Sequence, residues 1–342
     1  MLKSDFFKYL RYYLSLTAIA LSLDVQAFVR EIANDAISLK PIQVSEHVYY
    51  FRGESGVASQ RNHGFMSNAG FVVTAKGVVV YDALATPMLG KAMIAAIAGI
   101  TSQPIKIVIA GHYHADHIYG LQAFKEVGAE IWGHEHGRVY LASEAARLRL
   151  EQRRVELAPW VDAQTQVPQA DRYLQLARRS AFDGAFELEL GGLHLQIIDS
   201  SGAHSQEDLM LYVAEDKVLF AGDLFFSGRI PFVGSADSAA WLSELDAMLK
   251  IDARIAIPGH GGASDKVAKD IVFTRNYLRY LREKMGAAVQ ELMSFDEAYQ
   301  QTDWADYREL PAFLEANRLN AYATYLLMEK ENLQTLKDKH EH

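Results

Sequence analysis

Gly111-His112-Tyr113-His114-Ala115-Asp116-His117 follows directly on residues 105–110, a short continuous apolar run. Such a run suits a strand buried on both faces. Side chains two apart in an extended segment point the same way, so His112 and His114 can hold one ion between them. As the chain turns, Asp116 and His117 can face a neighbouring position. Chance places this pattern about once in a thousand chains of this composition, so it is a specific signal.

Composition narrows the chemistry. The chain has 342 residues, 34 Lys and Arg against 43 Asp and Glu, a formal net charge of −9, and no cysteine. That length gives one large domain or two ordinary ones. Without cysteine there are no disulfides, thiolate ligands or cysteine nucleophile. The acidic balance argues against nucleic acid, which needs a basic face. A metal site must therefore use imidazole and carboxylate, which zinc accepts.

Three further candidates follow short apolar runs. His204 stands in Ser201-Gly202-Ala203-His204-Ser205, Asp223 in Ala221-Gly222-Asp223, and His260 in Pro258-Gly259-His260-Gly261-Gly262. Glycine beside each lets the backbone turn tightly and approach a buried ion. A single His or Asp in a loop is usually a turn former. Four such loops after four strands point together to a metal site. All are expected in loops just past their strands.

The pattern along the chain is strands, then helix, then strand, twice over, which predicts a layered α/β domain. Residues 42–51 read as one strand and 70–81 as a hairpin. Thr86-Pro87 opens a helix running to about residue 100. Residues 134–185, with an arginine-rich helix over 144–157, read as an insertion over the core with a solvated helical face. From 276 to 342 a helical tail follows. Its stripe of Leu319, Tyr322, Tyr325 and Leu326 reads as packing or as a dimer face.

At the start, Lys3, Lys8 and Arg11 precede an uncharged stretch over 12–23 and then Val25-Gln26-Ala27. This is the pattern of a cleavable export signal over 1–27, which predicts a periplasmic or secreted protein. No stretch suits a stable membrane span. Among the other histidines, His134 and His136 read as ordinary polar loop residues and His194 as the polar face of a strand.

Taken together, these motifs resemble the metallo-β-lactamase-fold superfamily over about residues 42–275. The likeness rests on Asp82 closing a strand, His112 to His117, His204, Asp223 and His260. It implies a four-layer αββα sandwich, here with a C-terminal helical extension. It further implies that His112, His114 and His204 hold one zinc, that Asp116, His117 and His260 hold a second, and that Asp223 bridges them. Asp82 would orient a ligand without touching metal. By the same resemblance, a hydroxide shared by two Zn²⁺ would attack the carbonyl of an ester, lactone, thioester or amide in a small-molecule substrate. Asp116 would orient that hydroxide and move the proton. The loop holding His63 would border the substrate entrance, and Tyr113 would help shape the pocket.

One departure matters: the commonest β-lactamases of this superfamily carry cysteine where this chain has Asp223. Aspartate there resembles hydrolases of the glyoxalase II and lactonase kind. The export signal, insertion and tail look like a periplasmic branch associated with sulfur oxidation and quinoprotein pathways. The alternatives are a mononuclear iron dioxygenase of the persulfide type and a periplasmic β-lactamase; the donors alone also accept iron.

Overall fold

Val78, Val79, Val80 and Tyr81 are all buried, yet they face alternate ways. Val78 and Val80 join a core with Leu89, Met93 and Phe124, whereas Val79 and Tyr81 join one with Leu195, Leu211 and Phe220. A strand with two apolar faces must lie between two layers. A computed structural model, which describes residues 37–176 and 184–340, shows those layers. The expected export segment 1–27 and residues 177–183 of the expected insertion lie outside the described residues.

The first sheet has seven strands in sequential order: β1 (Ile42–Gln43), β2 (Val48–Phe51), β3 (Ala69–Thr74), β4 (Gly77–Tyr81), β5 (Ile105–Ile109), β6 (Glu130–His134) and β7 (Arg172–Leu174). From β4 to β7 the pairing is parallel. The second sheet runs β12-β11-β10-β9-β8, with β8 at Phe186–Leu190, β9 at Leu193–Asp199, β10 at Leu209–Val213, β11 at Val218–Phe226 and β12 at Ile255–His260. One core fills the space between the sheets. A second lies under α1 (Pro87–Ala98), α2 (Ala115–Ile118) and α3 (Leu121–Glu126). A third lies under α6 (Ser238–Met248), α7 (Val267–Gln290) and α9 (Phe313–His340). Helix, sheet, sheet and helix therefore stack as the expected αββα sandwich. Thr86 caps α1, its hydroxyl accepting from the Leu89 N–H, with Pro87 in the first turn.

Four local readings change. The stretch 42–51 forms two strands, because the chain turns back at Ser45-Glu46 and pairs Ile42 with Tyr50. The insertion, which carries α4 (His136–Leu141) and α5 (Glu144–Glu156), ends in β7, a true edge strand whose Arg172 stacks on Trp132. Within it, α5 buries none of its residues, as its charge predicts. His134 closes β6 and is buried rather than sitting in a polar loop. It belongs inside because its Nδ1 accepts from the His136 N–H and its Nε2 lies 3.7 Å from Asp199. In the tail, which also includes α8 (Phe295–Gln301), only Tyr325 of the expected stripe packs inward; Leu319, Tyr322 and Leu326 are exposed. No helix among the described residues is long and apolar enough to cross a membrane.

Candidate metal centre

The predicted donors gather at one edge of the two sheets. His112, His114, Asp116 and His117 follow β5, and the last two sit on the single turn α2. His204 follows β9. Asp223 and His260 depart from expectation, since both lie within strands. The β11–β12 pairing slips at Gly222 and resumes with Phe226 opposite His260. Gly222 takes a left-handed φ of 52°, and this bulge turns Asp223 toward the site. Gly259 is required opposite it: a Cβ there would lie 1.8 Å from Asp223 Oδ1.

The donors form two groups around Asp223. Its Oδ2 lies 3.8 Å from His112 Nε2 and 3.4 Å from His204 Nε2, and His114 Nδ1 is 3.1 Å from His204 Nε2. Its Oδ1 lies 3.3 Å from His117 Nε2 and 3.4 Å from His260 Nε2. Asp116 Oδ2 completes this second group, 3.5 Å from His117 and 3.2 Å from His260. Two ligand atoms on one tetrahedral zinc, at 2.0–2.1 Å each, are about 3.3 Å apart. The observed separations fit that shell. So does their bonding: Nε2 of His112, His117 and His260 and Oδ1 of Asp223 are fully buried with no hydrogen-bond partner. Each such atom costs about 1–3 kcal/mol unless something else satisfies it, and a cation would. His112, His114, His204 and Asp223 form one group able to hold a metal, and Asp116, His117 and His260 another.

Asp82 braces rather than ligates. It adopts a left-handed φ of 61°, accepts the Gly111 N–H on Oδ1 (2.7 Å), and places Oδ2 2.7 Å from His117 Nδ1. That pairing leaves Nε2 of His117 for the site. His260 is set likewise, its Nδ1–H donating to the Met66 carbonyl at 2.8 Å.

Electrostatics separate the groups. Burial pushes His112 and His114 below the ordinary histidine value and His204 down to about 3, so these three stay neutral. Burial also acts on His117 and His260, but carboxylates outweigh it and raise both: Asp82, Asp116 and Asp223 for His117, Asp223 and Asp116 for His260. Burial would raise Asp116 and Asp223; the histidines around them hold both well below the usual carboxylate range.

Two predicted substrate residues are not brought to these donors. Tyr113 is buried with its ring against Gly133, Gly137 and Tyr140. His63 meets Trp160 of the insertion edge-on, 4.4 Å between ring centres. Sequence reasoning missed several braces. Ser67 donates to the Asp116 carbonyl, and Asn68 donates to Pro258 and Gly261, tying the loop over 52–68 to the site. Phe226 stacks on His260 at 5.3 Å, and Trp241 meets His204 at 4.9 Å. Arg229 is buried beside His260, with Nη2 unpartnered. Only the Asn68 and Ser67 positions, in a polar loop before a strand, carried any signal. Tyr140 separates two cavities. One of about 160 Å³ includes His114 and His204, and the other, about 240 Å³, is lined by Ile118, Tyr119, Leu141, Leu150 and Val167 together with Arg147 and Gln169.

Comparison with known proteins agrees with this geometry. The family model described as "Metallo-beta-lactamase superfamily" matches residues 63–260. A curated metallo-beta-lactamase type 2 from Bacillus sp. (strain 170) is 24% identical over 232 residues, covering 66% of this chain and 76% of that protein. A linear primary-alkylsulfatase from Pseudomonas sp. (strain ATCC 19151) is 20% identical over 239 residues, 61% of this chain but only 44% of its own length. Among solved structures, a metallo-beta-lactamase from Pontibacter korlensis aligns with TM-score 0.56 and 18% identity, covering 71% of this chain and 99% of that one. The inverting sec-alkylsulfatase Pisa1 from Pseudomonas sp. aligns with TM-score 0.62 and 17% identity over 84% of this chain and 50% of that one. The family match runs from the loop before β3 to the last donor, His260, and on that extent the chain belongs to the metallo-beta-lactamase superfamily.

Proposed function

We propose that this chain is a dinuclear zinc hydrolase acting on an ester, lactone, thioester or amide. The observation that carries the reading is Asp223, whose two oxygens face two different histidine sets. His112, His114 and His204 would hold the first zinc, Asp116, His117 and His260 the second, with Asp223 shared. Zinc in such a site supplies Lewis acidity toward a carbonyl oxygen and lowers the pKa of water to about 7.

The chain's own residues do the rest. Asp116 is ionised, and Ser67 and His260 fix its position, so its carboxylate can orient the attacking water and carry a proton to the leaving group. Asp82 keeps the proton of His117 on Nδ1, away from the site. The Met66 carbonyl does the same for His260. Tyr140 would guide the substrate, with the scissile group beside His114 and His204 and an apolar arm toward the cavity beyond it. A cavity of about 150 Å³ has room for benzene, so this one, about 240 Å³, has room for such an arm between its apolar side chains and Arg147 and Gln169.

We propose the following division and location of the chain as well. Residues 42–275 form the catalytic domain with 134–185 as an insertion, and 276–342 form a helical extension. Residues 1–27 are an export signal that takes the mature protein to the periplasm or outside the cell; sequencing its N-terminus tests cleavage after Ala27. For the chemistry, zinc-loaded and iron-loaded protein are each assayed on esters, thioesters, lactones and β-lactams. Zinc-dependent turnover of a carbonyl substrate is expected. Oxygen consumption by the iron form alone would sink the proposal, and lactam turnover would select the β-lactamase alternative.

A further inference from the structure

Helix α9 carries apolar residues on its outer side as well as on its buried one. Its buried side mixes Ala316, Ala321 and Tyr325 with Asn317, Asn320 and Thr324. Asn320 Nδ2 donates to the Pro231 carbonyl and its Oδ1 accepts the Val233 N–H, while Asn317 accepts from Tyr277. Its outer side carries Leu319, Tyr322, Leu326, Leu333 and Leu336, which are 68%, 46%, 45%, 59% and 46% exposed. The polar residues of the inner side can face in because they are bonded there; on the outer side, Tyr322 meets Phe295 at 4.9 Å, and the rest of the apolar row stays largely exposed among the described residues.

The spacing of that side is informative. Residues 319, 322, 326, 329, 333 and 336 repeat by three and four, the seam of a two-stranded coiled coil. One polar residue interrupts it, Glu329. The seam is also self-complementary when reversed. Antiparallel pairing sets Leu319 against Leu336, Tyr322 against Leu333, and Leu326 against Glu329 of a second copy. Parallel pairing would instead set Glu329 against Glu329, burying like charges. The groove of about 430 Å³ lined by Phe295, Leu314, Glu315, Leu319 and Tyr322 would receive Leu336 of a second copy, with its Lys337 one turn from Glu315. Arg318 at that level is already held by Asp296 at 2.6 Å. Beyond residue 332 the helix runs through six exposed residues, 333–338. An isolated helix end of that kind is marginal in water and gains from a partner.

We infer that this chain forms a homodimer through α9, the two helices running antiparallel along Leu319, Tyr322, Leu326, Leu333 and Leu336. The occupant of the seam is a second copy, which supplies the reversed leucine spacing and sets Leu326 against Glu329.

Sedimentation of the full chain at micromolar concentration is expected to give twice the chain mass of 38.2 kDa. Leu326→Arg, at an exposed position, is expected to sediment as a monomer with an unchanged circular dichroism spectrum. Orientation is read by crosslinking, which the cysteine-free chain makes simple. L319C/L336C is expected to form disulfide-linked dimers on oxidation, whereas L319C alone forms none. A monomeric wild type would overturn the inference, and a monomer that floats with anionic vesicles would reassign the seam to a lipid surface. Linked dimers from L319C alone would overturn the antiparallel register. None of these readouts involves the metal centre.

Discussion

The two donor groups sit a few ångströms apart yet are built differently. His112, His114 and His204 are neutral, kept so by burial, and are held mainly by packing such as Trp241 against His204. His117 and His260 are raised by carboxylates, and each is fixed through Nδ1, by Asp82 and by the Met66 carbonyl. The first group is ready for a metal as it stands. The second is more tightly oriented, but in the metal-free protein it holds protons that a metal must displace. A shared Asp223 makes the two groups one site.

Removing the shared residue breaks the comparison most severely. Asp223→Ala is expected to lower activity by about a thousandfold and to weaken metal binding at both groups, measured by turnover and by titration with zinc. Asp82→Asn separates the groups. It removes the charge behind His117 and is expected to cost 10–100-fold in affinity at the second group, leaving the first nearly unchanged in a two-site calorimetric titration. Acidity sharpens the contrast next. Below their raised pKa values His117 and His260 carry protons, so the second group's affinity falls as pH falls, about tenfold per unit for each proton displaced. The first group holds its affinity to lower pH. In the metal-free protein the same two histidines stabilise the fold below about pH 6.5, and that contribution fades as pH rises through their folded values; thermal melts with chelator present check it. The smallest effect is expected at the rim. His63→Ala loses an edge contact with Trp160 worth about 0.5–1.5 kcal/mol, seen as a slightly lower melting temperature.

Much of this was legible in the sequence. The buried run before Gly111 announced a two-sided strand, and the glycines beside His204, Asp223 and His260 announced close approach. Local pattern, however, could not show that Asp223 and His260 stay inside strands. The bulge at Gly222 is a matter of pairing between two distant segments. For the same reason His134 looked like a loop residue: its partner, Asp199, is far off in the chain. Met66, Ser67 and Asn68 act through backbone and side-chain bonds across some fifty to two hundred positions, which no spacing rule reaches. Tyr113 stood out only because it flanks the motif; local spacing could not show that Gly133 and Gly137 open a slot for its ring.

The central claim, two metals joined by Asp223, is tested most directly by elemental analysis of the purified chain after zinc loading and removal of excess metal. The account predicts two zinc ions per wild-type chain and fewer than one per Asp223→Ala chain. One ion per wild-type chain, or two retained by the variant, would contradict it.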